Sequence, residues 1–344
     1  QNTGTTQTGD IQAAKGQNLL KDLLENCIIV MDSTGTASIQ DKWNSTTGGY
    51  YQTKGGGMVY VDGFRNGAHI YGGGNIDPES GEYDPATVTT FYNQSRYSLN
   101  GMVGSDGNGV SMALDKPVQP CRTSVLDVLA KHEEFSEFYA LMKLYAPTYM
   151  PTSGTTQQAK GNIISFLGNY NYTLYAPTNE AMRIAYDQGL PRWKDISTAT
   201  QESKGFATQE EFYGWQRTQC RKILNFIRTH FQDTSVATDG EAGYYKSQSF
   251  NSEEGVFYEL YFDPSAGVVY TREQSGEQSH LVDPQTKVPA SGNLSNIFAR
   301  DYRFSAAPSD DGATISTSAH VLIHAINTPL FFTPLENGKR TQFE

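Results

Sequence analysis

Residues 172–182 read Tyr172-Thr173-Leu174-Tyr175-Ala176-Pro177-Thr178-Asn179-Glu180-Ala181-Met182. Leu174 and Tyr175 finish an apolar run that suits a buried strand. Pro177 fixes its own φ and pushes Ala176 out of the helical region, so the strand lasts to the proline. Thr178 or Asn179 then caps a helix, and Glu180 in the first turn complements the positive end of the helix dipole. The stretch predicts a strand that turns directly into a helix.

On the N-terminal side, residues 121–145 read as strongly helical. Thr123 or Ser124 is the N-cap; Leu126, Leu129 and Ala130 form one apolar face, and Phe135, Phe138, Tyr139 and Met142 another. A polar loop from Pro147 to Asn162 separates this region from the strand. On the C-terminal side a helical region runs from about Thr208 to His230, and β texture fills Gly243 to Phe332. Further upstream, residues 1–10 lack apolar periodicity, and Ile11 to Met31 carries leucines at helical spacing. Short β runs follow at 49–51, 57–61, 69–71, 88–92 and 110–114, separated by Gly-rich or Asp/Pro/Gly clusters.

The two β regions repeat one another. Gly49-Tyr50-Tyr51 matches Gly243-Tyr244-Tyr245, and Asp77-Pro78-Glu79-Ser80-Gly81 matches Asp263-Pro264-Ser265-Ala266-Gly267. Phe91-Tyr92 through Tyr97-Ser98 pairs with Ile297-Phe298 through Phe304-Ser305. Ser105-Asp106-Gly107 pairs with Ser309-Asp310-Asp311-Gly312, and Ala113-Leu114-Asp115-Lys116-Pro117 with Ala325-Ile326-Asn327-Thr328-Pro329. Two copies make a tandem pair rather than a solenoid.

The 172–182 stretch resembles the signature of fasciclin domains, a strand ending in a Phe/Tyr-Ala-Pro-Thr-Asn turn that opens a helix. Ile223 through His230 resembles the family's helix running into a Tyr-His pair. Val321-Leu322-Ile323-His324-Ala325-Ile326-Asn327-Thr328-Pro329-Leu330 resembles its His-x-Ile-Asp exit, and Ser124 through Leu129 its opening helix. The resemblance implies an α+β fold of tandem fasciclin-like modules, each a wedge-like β-sandwich flanked by helices. Residues 1–120 are expected to be the C-terminal part of a first module, 121–335 a complete second module with insertions, and 336–344 a tail. Tyr175, Ala176, Pro177, Thr178, Asn179, His230 and His324 are then structural signature residues. The first copy carries Met112 or Ala113 where His324 stands, and an apolar residue near Ile29 where His230 stands.

Composition narrows the function. Charged residues make up 18% of the chain, against roughly 25% in average globular proteins; Gly, Ser, Thr, Asn, Gln and Tyr fill the gap. A net charge of −11 argues against a nucleic-acid binder. No apolar run approaches the roughly 18 residues of a membrane span. Cys27, Cys121 and Cys220 are too widely spaced for a zinc or redox motif and read as small core side chains.

Candidate chemistry is sparse. His320 and His324 lie four apart in a strand-like run, about 13 Å on an extended chain, too far to share a metal. Gly55-Gly56-Gly57 and Gly72-Gly73-Gly74 neither precede a helix nor end in Gly-Lys-Ser/Thr, so hairpin turns and bulges are expected rather than phosphate loops. Asp77, Glu79, Glu82 and Asp84 lack the alternating pattern of a calcium loop. No Gly-x-Ser-x-Gly elbow is present. No cofactor and no metal site are expected, and the chain reads as a non-enzyme. Asn44, Asn93, Asn171 and Asn293 begin Asn-x-Ser/Thr sequons, as an Asn/Ser/Thr-rich chain produces by chance.

What remains is surface. Tyr combines stiff contact area with a polar tip, and on a strand one member of each pair Tyr50/Tyr51 and Tyr244/Tyr245 faces outward, which makes these four the candidate partner contacts. The fasciclin resemblance implies adhesion to, or binding of, protein or glycan at the cell surface. The composition also resembles the surface lipoproteins of gut Bacteroidota, whose lipid-bearing Cys would lie upstream of Gln1. That resemblance implies an extracellular, outer-membrane location with an upstream lipid anchor. Its alternative role is a structural accessory subunit of an outer-membrane transporter complex.

Overall fold

The computed structural model describes residues 19–30, 48–92, 111–149, 157–158, 164, 166–252, 254–274, 276–304 and 315–343. Contacts divide the chain into two compact units. One is Gln1–Arg122 with Lys287–Ser291; the other is Thr123–Thr286 with Gly292–Glu344.

In the first unit, β1 (Gly49–Gln52), β2 (Met58–Val61), β3 (His69–Gly72), β4 (Ala86–Tyr92) and β5 (Ser111–Leu114) form an antiparallel meander in that order. Period-2 alternation gives each strand two faces. Val59, Val61 and Ile70 point into a core completed by Phe64, Ala68, Ala86, Val88 and Val118. The opposite face aligns Tyr50, Tyr60 and Tyr71 across three strands. Residues 19–26 are helical, and Ile29 bridges Thr53. The helix expected over 11–31 therefore ends at 26, and residues 11–18 lie outside the described residues.

The second unit is organised by β7 (Asn171–Pro177) and β14 (Ile315–Ile326), which pair in parallel. With β6 (Gln157–Gln158), β8 (Phe231–Asp233), β9 (Gly243–Asn251), β10 (Val256–Asp263), β11 (Val268–Thr271), β12 (Ser279–His280) and β13 (Ile297–Phe304), they form a sheet of order β12-β11-β10-β9-β8-β7-β14-β13-β6. This sheet curls until its end meets its middle. Leu281 bridges Ile326, Val282 N donates to Ala325 O, and Asn327 N donates to His280 O.

Curling gives the sheet an inside and an outside. Tyr172, Leu174 and Ala176 of β7 and Ala319, Val321, Ile323 and Ala325 of β14 face helices that supply Leu126, Leu129, Phe135, Phe138, Ile223 and Phe226. The alternate positions Tyr175 and Ile326 face the enclosed side with Val236, Leu260, Phe262, Val269, Leu281 and Leu330. Burial on both faces explains why 321–326 reads as an unbroken apolar run apart from His324.

Four expectations change. The helix over 121–145 is broken at His132, whose backbone is extended, into Val125–Lys131, a 3-10 turn Glu133–Phe135 and Ser136–Tyr149. The break lets both apolar faces enter one core. Pro147–Tyr149, expected in a loop, continues the second helix; the rest of that loop lies outside the described residues except β6. The two Asp-Pro turns are not equivalent: Asp263–Gly267 closes the β10–β11 hairpin, whereas Asp77–Gly81 follows β3. Finally, 336–344 is not a loose tail. β15 (Leu335–Glu336) and β16 (Lys339–Arg340) form a hairpin, and Phe343 joins the helix-side core. Arg340 is only 2% exposed. Its Nε donates to Gln188 Oε1 (2.8 Å), its guanidinium lies 4.5 Å from the Phe331 ring centre, and Glu277 pairs with it. The repeat segments at 93–98, 105–107, 305 and 309–312 lie outside the described residues.

The glycine triplets also separate. Gly55–Gly57 forms the expected β1–β2 turn, with Thr53 N donating to Gly57 O at 2.8 Å and Gly56 at φ 91°. Gly72 and Gly74 instead permit close backbone approach: a Cβ on Gly74 would stand 2.2 Å from Pro120 O. Gly74→Ala should thus destabilise the first unit by about 1–3 kcal/mol. Gly276→Ala, where a Cβ meets open space, should stay within about 0.5 kcal/mol of the parent. Urea denaturation of both variants measures the contrast, and equal midpoints would refute the packing argument.

Candidate functional site

The signature residues converge where β7 meets the helices, and each has a structural task. Thr178 is the N-cap of helix Asn179–Asp187; its Oγ1 accepts from Ala181 N at 3.3 Å, and its N–H donates to Ile326 O at 3.1 Å. Asn179 serves a different helix. Its Oδ1 accepts from Glu137 N (2.9 Å) and Ser136 Oγ (3.2 Å), and its Nδ2 donates to Glu133 O (2.9 Å). It therefore fastens the start of Ser136–Tyr149. The two adjacent residues cap two helices. Ala176 is fully buried, and Pro177 ends β7 in register with Ile326.

His230 is the C-cap of the long helix Gln209–Thr229, whose own N-terminus is closed by a Thr208–Glu211 capping box. Its ring is fully buried against Phe226 and Phe138, with centroids 4.5 and 5.7 Å away. Leu330 N–H donates to Nε2 at 3.0 Å, so the proton sits on Nδ1, which donates to Phe226 O at 2.8 Å. His324 carries the opposite tautomer. Asn296 N–H donates to Nδ1 at 3.2 Å, and Nε2–H donates to Val236 O at 2.9 Å. Its ring stacks on Tyr175 at 6.2 Å, beside Phe262 at 5.8 Å. Tyr175 OH donates to Gln232 Oε1 at 2.6 Å, and complete burial raises its pKa far above the ordinary phenol value.

Each imidazole thus spends both nitrogens on backbone groups. Neither has a lone pair or proton left for a metal or a substrate. Among the described residues no group of three or more His, Cys, Asp or Glu is placed to hold a metal ion. The acidic stretch is occupied too: Asp77 Oδ1 accepts from Glu79 N, Ser80 N and Ser80 Oγ, and Asp84 pairs with Lys116. None of the three cysteines forms a disulfide. Cys121 is buried as expected, but Cys27 is exposed and Cys220 half-buried.

Several anchoring residues have no local sequence signal. Buried Asp301 of β13 receives Val125 N on Oδ1 (3.0 Å) and Ile164 N on Oδ2 (3.1 Å), tying down the start of the first helix. Buried Asn296, at φ 58°, exchanges hydrogen bonds with Thr238 and presents its own N–H to His324. Their partners are distant in the chain, so only the fold reveals them.

The tyrosine pairs divide by face. Tyr51 packs against Phe64 (5.5 Å) in the first core, and Tyr245 packs on the enclosed core of the second unit. Tyr50 and Tyr244 take the opposite face, but their exposure differs: Tyr50 is 9% exposed and Tyr244 68%. Tyr50 is therefore no surface contact. Tyr244 heads a row continued by Tyr261 and Tyr270, with ring centroids 5.0 and 5.1 Å apart.

No protein-family model matches the chain, and no curated protein matches it. Among solved structures it is similar to a FAS1 domain pair from the insect cell adhesion molecule fasciclin I. That match has 13% identity, covers 96% of this chain and 86% of the other, and has a TM-score of 0.26.

Two outcomes follow from this geometry. Thr178→Ala should cost about 1 kcal/mol in urea denaturation, and Thr178→Ser should restore most of it; identical midpoints for all three proteins would remove the capping role. Burial pushes the pKa of both His230 and His324 down to about 4. The folded state stays neutral while the unfolded chain takes up protons below its ordinary value of about 6.5. Stability is therefore full above pH 6.5 and falls as pH drops towards 4, by about 3 kcal/mol per histidine. His132, partly buried and also shifted down by desolvation, adds a smaller slope of the same sign. Denaturation midpoints at pH 7, 6, 5 and 4.5 measure the loss, and a flat profile would contradict it.

Proposed function

We propose that this chain is a non-enzymatic binding or adhesion protein of the cell surface, built from tandem fasciclin-like modules whose curled sheets form wedge-like sandwiches flanked by helices. The observation that carries the reading is the internal use of every polar signature atom described above. His230 and His324 hold backbone together, Thr178 and Asn179 cap helices, and Tyr175 is sealed against Gln232. Function then falls to the surface, where the Tyr244 face offers aromatic contact area with polar tips. The Tyr-, Asn- and Gly-rich composition supports an extracellular setting, with a protein or a glycan as the partner. Among the described residues no helix is long and apolar enough to cross a membrane.

The test is binding of the labelled chain to protein and glycan arrays and to intact cell surfaces, alongside turnover assays on ester, peptide and glycoside probes. Saturable binding without turnover is expected. Turnover by the purified chain, or no saturable binding to any surface, would overturn the reading. Stoichiometric co-purification with an outer-membrane barrel would replace it with that of an accessory subunit.

A further inference from the structure

The two units carry the same tyrosine row in the same register. In the first, Tyr50 pairs with Tyr60 and Tyr60 with Tyr71, with ring centroids 5.0 and 5.9 Å apart. In the second, Tyr244 pairs with Tyr261 and Tyr261 with Tyr270, at 5.0 and 5.1 Å. The flanking residues agree as well. Gly49 and Gly243 precede the first tyrosine, Val61 and Phe262 follow the second inside the cores, and Asp62 and Asp263 come next. Burial first, and Asp62 second, raise the pKa of Tyr71; Tyr270 is raised by desolvation, by its two row neighbours and by Asp263. Each row therefore ends beside a carboxylate.

The rows differ in what lies on them. The first unit includes the segment Lys287-Val288-Pro289-Ala290-Ser291, and Tyr50 OH donates to Lys287 O at 2.6 Å. Pro289 is buried while the residues on either side are exposed, and Val288 is restrained to an extended conformation by the proline after it. A tyrosine hydroxyl donating to a carbonyl of an extended, proline-bearing segment is the chemistry of aromatic grooves that read such segments; the preformed backbone loses little entropy on docking. In the second unit the same row is open at its head, with Tyr244 68% exposed.

We propose that the Tyr244–Tyr261–Tyr270 row is a docking site for an extended Lys-x-Pro-type segment of a partner protein, its head tyrosine engaging the segment as Tyr50 engages the carbonyl of Lys287. Tyr244 OH donates to the carbonyl of the residue two before the proline, and the tyrosine rings form the apolar floor. Asp263, beside Tyr270 at the edge of the row, favours the lysine. This rests on the binding-protein reading and narrows it to a peptide partner.

The experiment titrates the full chain with a fluorophore-labelled peptide of residues 283–292, followed by anisotropy. Saturable binding is expected. Tyr244→Ala should weaken it at least about tenfold, Tyr270→Phe should weaken it less, and a peptide with Pro289→Ala should also bind less tightly. Tyr244 is exposed, so its removal leaves the fold intact; unchanged urea midpoints verify this. No saturation up to millimolar peptide would overturn the proposal. So would equal affinity for parent and Tyr244→Ala, because the peptide would then be binding elsewhere. Tyr244-dependent binding of oligosaccharide without peptide binding would overturn the peptide site while leaving the broader binding function standing.

Discussion

The second unit depends on the parallel pairing of β7 with β14. Seven registered positions, from Asn171–His320 to Pro177–Ile326, place two strands side by side in the interior of the sheet. Because successive side chains alternate, this one pair feeds two cores: Leu174 and Ile323 on the helix side, Tyr175 and His324 on the enclosed side. A shift of one residue would exchange those sets and put His324 and Tyr175 against the helices. Pro177 and the Thr178 cap fix where β7 stops, and so hold the register from one end.

The two buried histidines then close what the strand pair begins. His230 joins the end of the long helix to the segment after β14, and His324 joins the loop after β8 to the turn before β13. An asparagine or glutamine could match only part of this, since a donor and an acceptor must point in divergent directions from one flat ring. The sealed positions lower both pKa values and remove the imidazoles from chemistry. One constraint therefore accounts for stability and for the lack of a reactive centre among these residues.

Much of this was legible in the sequence because it is local. The strand–turn–helix at 172–182, the Thr208 helix start and most strands of the first β region follow from caps, proline restrictions and alternation, whereas 243–332 showed only its β character. Tyr175 and His324 could be marked as structural, but what they touch could not. Asp301, Asn296 and Arg340 stayed invisible since their partners lie far along the chain, and polar residues in polar surroundings leave no periodic trace. The break at His132 was hidden by good helix formers on both sides. Similar Asp-Pro turns in the two β regions suggested equivalence, although turn chemistry reports local geometry and not position in a sheet. In the tyrosine pairs, alternation showed that the two members face opposite ways but not which face is covered; for Tyr50 the covering comes from a residue more than two hundred positions away.

The packing of the C-terminal hairpin has a consequence for how the molecule is made. Phe343 shares a core with Val125, and Lys222 Nζ donates to Phe343 O at 2.8 Å. A ribosome delivers the chain from its N-terminus, so the helices and strands of the second unit emerge long before the hairpin that seals them. During that interval the faces of Phe226 and Phe331 that meet Phe343 stay open to solvent and to other nascent chains. This unit is complete only once the hairpin has emerged, and the interval before it is when the chain most needs shielding from aggregation.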